Sequence, residues 1–303
     1  MPNEYEVKKQ ICEIGRRIYD RNMAAANDGN ISVRLNEREW LCTPTGVSKG
    51  FMTPEFICKV GPDGNVIQAS DKFRPSSEVK MHMRVYEKRP DVNAVVHAHP
   101  AFATSFAIAG IPLTQPIMPE AVISLGCVPI ADYGTPSTYE IPDNVEKFLP
   151  YYDAVLLESH GALSWGVDLL AAYYKMESLE FYAELLYRSR MLGGPKEFNR
   201  AQVERLYELR RQMGIPGKHP AELCMNRQGP NCHNCPSYIG RGATPAADSA
   251  PTSYVNAQST YGNAPPSYIS APPADAAYAL AGSDDTEALV KEITKLVMKE
   301  LGM

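Results

Sequence analysis

Two histidines one residue apart, His97 and His99, interrupt the apolar run "AVVHAHPAFA" at residues 94–103. Side chains alternate across a strand, so both imidazoles project to one face, ~6–7 Å apart along the chain. That spacing suits two nitrogen ligands converging on one metal ion. A third imidazole, His160 in "LLESHGAL", stands where a strand pattern runs into a glycine turn. Three neutral nitrogen ligands with an open position make a catalytic rather than a structural zinc pattern. Of the six histidines, the other three fall elsewhere: His82 in a helical pattern, His219 and His233 towards the C-terminal region. Taken alone, a His-x-His pair equally describes core or surface histidines with no ligand role.

Three short segments offer donors to an anion: "DGNIS" with Gly29 and Asn30, "TPTG" with Thr45 and Gly46, and "RPSSE" with Ser76 and Ser77. A glycine lets the backbone approach a phosphate closely, and hydroxyl and amide side chains add donors. Ser76-Ser77 at the start of a helix would add free N–H groups and the positive end of the dipole. Each of these segments is also an ordinary turn or cap when met singly.

The elements that must hold these groups alternate between helix and strand. Val7, Ile11, Ile14 and Ile18 recur at helical spacing, predicting a helix over residues 4–26. "NISVRL" and "EWLCTPTG" read as strands, and "EFICKVGPDGNVIQAS" as a hairpin turning at Pro-Asp-Gly. "SSEVKMHMRVYEKRP" reads as a helix with Ser76 or Ser77 as N-cap and Pro90 past its end. "NAVVHAHP" and "DAVLLESHG" read as buried strands, and "DLLAAYYKMESLEFYAELLYRSRML" as a long helix closed by Gly193-Gly194-Pro195. This mixture predicts an α/β domain over residues 1–215 with helices covering a sheet.

In order and at these intervals, "GNIS", "TPTG", "SSE", "HAHP" and "HG" resemble the class II aldolase/adducin family, over roughly residues 5–215. The family's sugar-phosphate aldolases, which act on L-fuculose 1-phosphate and related substrates, share this pattern. The resemblance implies a three-layer α/β/α sandwich around a mostly antiparallel sheet. His97, His99 and His160 would be ligands of Zn2+ or another divalent metal, and Glu78 the acid/base carboxylate. Asn30, Thr45, Gly46, Ser76 and Ser77 would hold the substrate phosphate, with Gly29 shaping the first of these turns. It further implies a homotetramer with its site at a subunit interface. The reaction would cleave L-fuculose 1-phosphate or L-rhamnulose 1-phosphate to dihydroxyacetone phosphate and lactaldehyde. Pentulose-phosphate epimerases, sugar-phosphate dehydratases and non-catalytic adducin-like modules share the superfamily and remain alternatives. The sequence departs from the aldolase pattern at "TQPIMPEAVISLG", which lacks the expected tyrosine and offers Glu120 as its only ionisable side chain. A buried carboxylic acid can replace a phenol, and an ordinary loop glutamate reads the same. Tyr133 in "ADYGTPS" reads as a packing residue, and "RRQMGI" lacks a second expected tyrosine.

Composition narrows the setting. With 44% hydrophobic and 21% charged residues the 303-residue chain is globular in type, and a net charge of −5 with no basic stripe argues against nucleic acid. No apolar run approaches the ~18 residues of a membrane helix, and "MPNEYEVKKQ" is unlike a signal peptide. Cys12, Cys42, Cys58 and Cys127 lie among apolar neighbours as reduced thiols do, so a cytoplasmic protein is expected.

Past residue 215 the composition changes. Residues 216–235 carry Cys224, Cys232, His233 and Cys235, a set that suits zinc or an iron–sulfur cluster and equally suits incidental thiols. Residues 236–283 are rich in Pro, Ala, Ser and Tyr, the composition of a flexible linker. Residues 284–303 place Leu289, Val290, Ile293, Leu296, Val297 and Leu301 on one helical stripe. A helix this short needs a surface, either its own domain or a partner. Linker plus stripe resembles the encapsulation peptides of bacterial microcompartment cargo, implying a shell protein or co-cargo enzyme as partner and a location inside such a compartment. Deleting residues 236–303 is expected to leave turnover near the full-length value while abolishing co-localisation with a shell, as fluorescence imaging and steady-state kinetics would show; a large loss of activity would refute that separation.

Overall fold

The computed structural model describes residues 3–220. The cysteine-rich extension from residue 221 on, the linker and the C-terminal amphipathic stripe lie outside the described residues. Helix α1 (Glu4–Asp20) opens the chain, with the Asn3 side chain accepting from the Tyr5 N–H at 3.0 Å. Its apolar stripe is buried, yet the helix ends six residues before the spacing alone would end it. Asn22 turns left-handed (φ 56°) and the Met23 N–H returns to the Ile18 carbonyl, a glycine-type stop that asparagine can supply.

Strands β1 (Asn30–Arg34), β2 (Trp40–Cys42), β3 (Cys58–Val60) and β4 (Val66–Gln68) form an antiparallel meander, with the expected hairpin between the last two. After α2 (Val79–Lys88), β5 (Ala94–Ala98) returns to pair with β1. Helices α3 (Ala101–Ile108) and α4 (Pro119–Ser124), strand β6 (Ile130–Ala131) and helix α5 (Glu140–Glu146) follow. Then come β7 (Ala154–Leu157), β8 (Gly161–Gly166), α6 (Leu169–Met191) and α7 (Arg200–Gln212). The eight strands make one sheet in the order β4-β3-β2-β1-β5-β8-β7-β6, antiparallel except between β6 and β7.

Alternation along the strands splits the core into two layers. Ile31, Val33, Ala94, Val96 and Ala98 pack with α1, α3 and α6 on one face. Trp40, Val95, Val155, Leu163 and Trp165 pack with α2 and α5 on the other. This is the α/β/α sandwich with a mostly antiparallel sheet. His97 shares the parity of Val95, so it points to the α2 side. Helices α3, α4, α5 and α7 escape a periodicity reading: α3 is apolar all round, and α5 carries Pro142.

The described body continues past α7 to Pro220. His219 is buried there, donating from Nε2 to the Val122 carbonyl at 2.8 Å and meeting the Tyr207 ring edge-on. Burial, helped by the Arg210 charge, pushes its pKa down from 6.5 to about 4. Unfolding frees this imidazole to protonate, so its stabilising contribution is complete above pH 6.5 and is lost as pH falls towards 4. The melting temperature is therefore expected to fall across that window, and His219→Leu to flatten the fall, as calorimetry over a pH series would show.

Candidate metal and anion site

The three imidazoles meet at one end of the central strands. His97 ends β5 but for Ala98, His99 follows the strand, and His160 occupies the turn between β7 and β8. Their ring centroids form a near-equilateral triangle, with sides of 4.9, 4.8 and 4.9 Å, each pair edge-on. One nitrogen from each lies within 4.8 Å of the others. The turn that carries His160 is tight: Ser159 is left-handed (φ 56°), and a Cβ on Gly161 would stand 2.6 Å from both the Ala98 carbonyl and the His99 ring.

Hydrogen bonding fixes which nitrogens face inward. His97 Nδ1 donates to the Ala162 carbonyl across the β5–β8 ladder at 2.9 Å, leaving a lone pair on Nε2. His99 Nδ1 faces the Asp28 carboxylate at 3.3 Å, which leaves its Nε2 a lone pair too. The two Nε2 atoms stand 3.1 Å apart. Two lone pairs so close repel unless a proton or cation lies between them, and ~3.3 Å is what two nitrogens keep on a tetrahedral zinc. His97, fully buried, has its pKa pushed far down by burial and then by the neighbouring His99 and His160. Burial also lowers His160, against the pull of the Glu78 carboxylate. Neutral imidazoles are the ligating form, so the donor set fits a divalent cation.

Glu78 stands beside them. Its Oε2 accepts from Asn30 Nδ2 at 2.7 Å and lies 3.5 Å from His97 Nε2, while Oε1 is 3.3 Å from His160 Nε2. Oε1, Asn30 Oδ1 and His160 Nδ1 are buried with no hydrogen-bond partner. Such orphaned polar atoms mark a site awaiting a ligand, since each costs stability where it stands. Glu78, not Ser76 or Ser77, occupies the N-cap position of α2. Ser76 instead closes a turn ahead of the helix, its carbonyl taking the Val79 N–H and its hydroxyl the Glu78 N–H at 3.3 Å. The start of α2 therefore lies one residue further on than a Ser77 cap, and two further than a Ser76 cap, would place it.

The anion segments also converge. Pro44 and Pro75 form an antiparallel bridge, with the Thr45 N–H on the Arg74 carbonyl and the Ser76 N–H on the Thr43 carbonyl. That brings Thr45 and Gly46 alongside Ser76 and Ser77, with Thr45, Gly46 and Ser77 exposed. Gly29 (φ 77°) precedes Asn30, and a Cβ there would come within 2.9 Å of the His97 carbonyl. Asn30 is paired with His97 in the β1–β5 register, which ties the first anion segment to the histidines. Glu120 is different: it lies exposed in the first turn of α4 and makes no hydrogen bond or ion pair with the histidines or Glu78 among the described residues. Tyr133 is 56% exposed, so it is no packing residue.

Three residues escaped the sequence reading. Asp28 orients His99, and only the approach of two loops makes that visible. His82, one turn along α2 from Glu78, is buried with Nδ1 on the Ser32 hydroxyl at 2.7 Å. Burial, then the nearby His97, pushes its pKa down to about 3. Lys49, in the polar-looking "VSKG", is only 2% exposed.

Fold and site together have the form of an aldolase-type lyase whose histidine triad has the donor set for a divalent metal. The chain belongs to the class II aldolase and adducin N-terminal domain family, whose model matches residues 9–187. An L-fuculose phosphate aldolase from Methanococcus maripaludis is 35% identical over 178 residues, covering 59% of this chain and 94% of the relative. A 3-oxo-tetronate 4-phosphate decarboxylase from Cupriavidus necator is 30% identical over 189 residues, covering 61% of this chain and 85% of the relative. Among solved structures, an L-fuculose 1-phosphate aldolase superposes with a TM-score of 0.63 at 27% identity, covering 69% of this chain and 97% of that one. The corresponding enzyme from Thermus thermophilus gives 0.55 at 29%, covering 62% and 97%. No helix among the described residues is long and apolar enough to cross a membrane.

Equilibrium dialysis against Zn2+ is expected to load the histidine site with one ion, and His160→Ala to lose that ion. Asp28→Asn, which keeps the fold but weakens the orientation of His99, is expected to cost roughly 10–100-fold in metal affinity.

Proposed function

We propose that this chain is a divalent-metal-dependent aldolase cleaving L-fuculose 1-phosphate or L-rhamnulose 1-phosphate to dihydroxyacetone phosphate and lactaldehyde. The observation that carries the proposal is the Glu78 carboxylate, held by Asn30 against three imidazoles whose donor atoms converge. His97, His99 and His160 would hold a divalent cation, which when bound would supply Lewis-acid stabilisation of negative charge on the ketose oxygens. Thr45, Gly46, Ser76, Ser77 and Asn30 bind and orient the phosphate, so that the ketose presents its C3–C4 bond to the histidine cluster. Overall the reaction moves one proton from the C4 hydroxyl to C3 of the dihydroxyacetone phosphate fragment, and Glu78, once it has taken up a proton, delivers it at C3. The C4 hydroxyl must lose a proton as it becomes the aldehyde. Glu120 is too isolated within one chain to take it and would serve only from a neighbouring copy in a homotetramer.

The decarboxylase relative supports a second reading. Loss of carbon dioxide from a 3-oxo-tetronate 4-phosphate leaves the same electron-rich dihydroxyacetone phosphate fragment, to be protonated at the same carbon. The two reactions share everything the histidine cluster and Glu78 do, and differ in what leaves.

Incubation of metal-loaded protein with both 1-phosphates and with 3-oxo-tetronate 4-phosphate separates the readings. Chelator-sensitive release of dihydroxyacetone phosphate with lactaldehyde is expected; release with carbon dioxide instead would favour the decarboxylase, and neither would turn the reading to an epimerase or dehydratase. Glu78→Gln is expected to lower kcat by about 10²–10⁴-fold in the productive assay.

A further inference from the structure

Lys49 is a charged residue placed where a charge is costly, and its surroundings say why it is kept. Its ammonium donates to the Asn27 carbonyl at 2.9 Å and to the Val47 carbonyl at 2.6 Å. These carbonyls belong to the loops leading into Gly29-Asn30 and out of Thr45-Gly46, the two segments that offer donors to an anion. The backbone of Lys49 is itself pinned, since a Cβ on Gly15 of α1 would stand 2.7 Å from the Lys49 carbonyl. An ammonium has three hydrogens, and the third has no acceptor among the described residues. A buried lysine left short of a partner is destabilising unless something negative completes it.

We propose that Lys49 is the positioning residue of the phosphate cradle: its ammonium fastens the 27–30 loop to the 44–47 loop and sets a fixed positive charge behind the bound phosphate. The inference rests on the sugar-phosphate reading of the site. Burial lowers the Lys49 pKa from 10.5 to about 8, while the Asp28 and Glu78 carboxylates hold it up, so the side chain is still charged at neutral pH. Because two of its hydrogens are committed to main-chain carbonyls, the effect on substrate is through loop placement and field.

The test is calorimetric titration of the full-length, zinc-loaded protein with inorganic phosphate, alongside kinetics. Lys49→Met removes charge and clamp together. It is expected to weaken phosphate binding by about tenfold or more and to raise KM more than it lowers kcat, with zinc stoichiometry unchanged. Lys49→Gln keeps two donors for the same carbonyls without the charge, and is expected to fall between wild type and Lys49→Met. Unchanged phosphate affinity in either folded variant would overturn the proposal, as would failure of both to fold, which would make Lys49 a purely structural clamp. Wild-type protein that binds no phosphate would overturn the sugar-phosphate reading and this proposal with it.

Discussion

The hydrogen bond from His97 Nδ1 to the Ala162 carbonyl joins the sheet to the chemistry. It spans the β5–β8 ladder and so depends on a register in which His97 stands opposite Leu163, while β1 on the other side sets Asn30 opposite His97. A slip of one residue in either pairing would turn His97 to the α1–α6 face of the sheet and carry Asn30 away from Glu78. The two apolar layers enforce this register, because the same slip would exchange every buried side chain between them.

Burial holds His97 and His160 neutral, for His160 against the pull of the Glu78 and Asp28 carboxylates. His97 and His160 are held down by burial, so their nitrogens keep the lone pairs that a cation needs. Glu78 and Asp28 stand on two sides of the histidines, and the buried Lys49 ammonium is held by the Asn27 and Val47 carbonyls. Several buried polar atoms are left without partners at this one place while the surrounding layers are apolar.

On the proposed function, the same construction accounts for its presence in relatives named as an aldolase and as a decarboxylase. On that function the cluster would stabilise charge on one phosphorylated three-carbon fragment and Glu78 would return a proton to it, with the departing group beyond those residues. Selectivity must then come from groups outside the histidines and Glu78, in the region that contains Glu120 and in whatever a neighbouring copy contributes.

Much of this was legible in the residue order. The strand alternation around His97 and His99, the glycine after His160, the hairpin at Pro62-Asp63-Gly64 and the long helix after Asp168 are local signals, and local sterics decide them. The ordered motifs were enough to indicate the family and its sandwich. What sequence could not fix was anything set by contact between distant segments. The start of α2 lay one residue beyond a Ser77 cap and two beyond a Ser76 cap because Ser76 was drawn to the Thr43 carbonyl, and α1 stopped short because Asn22 could turn left-handed. Asp28 on His99, His82 on Ser32 and the burial of Lys49 between two loops arise only when strands far apart in the chain become neighbours. Periodicity records which face a residue takes; the partner on that face is chosen by the register of the whole sheet.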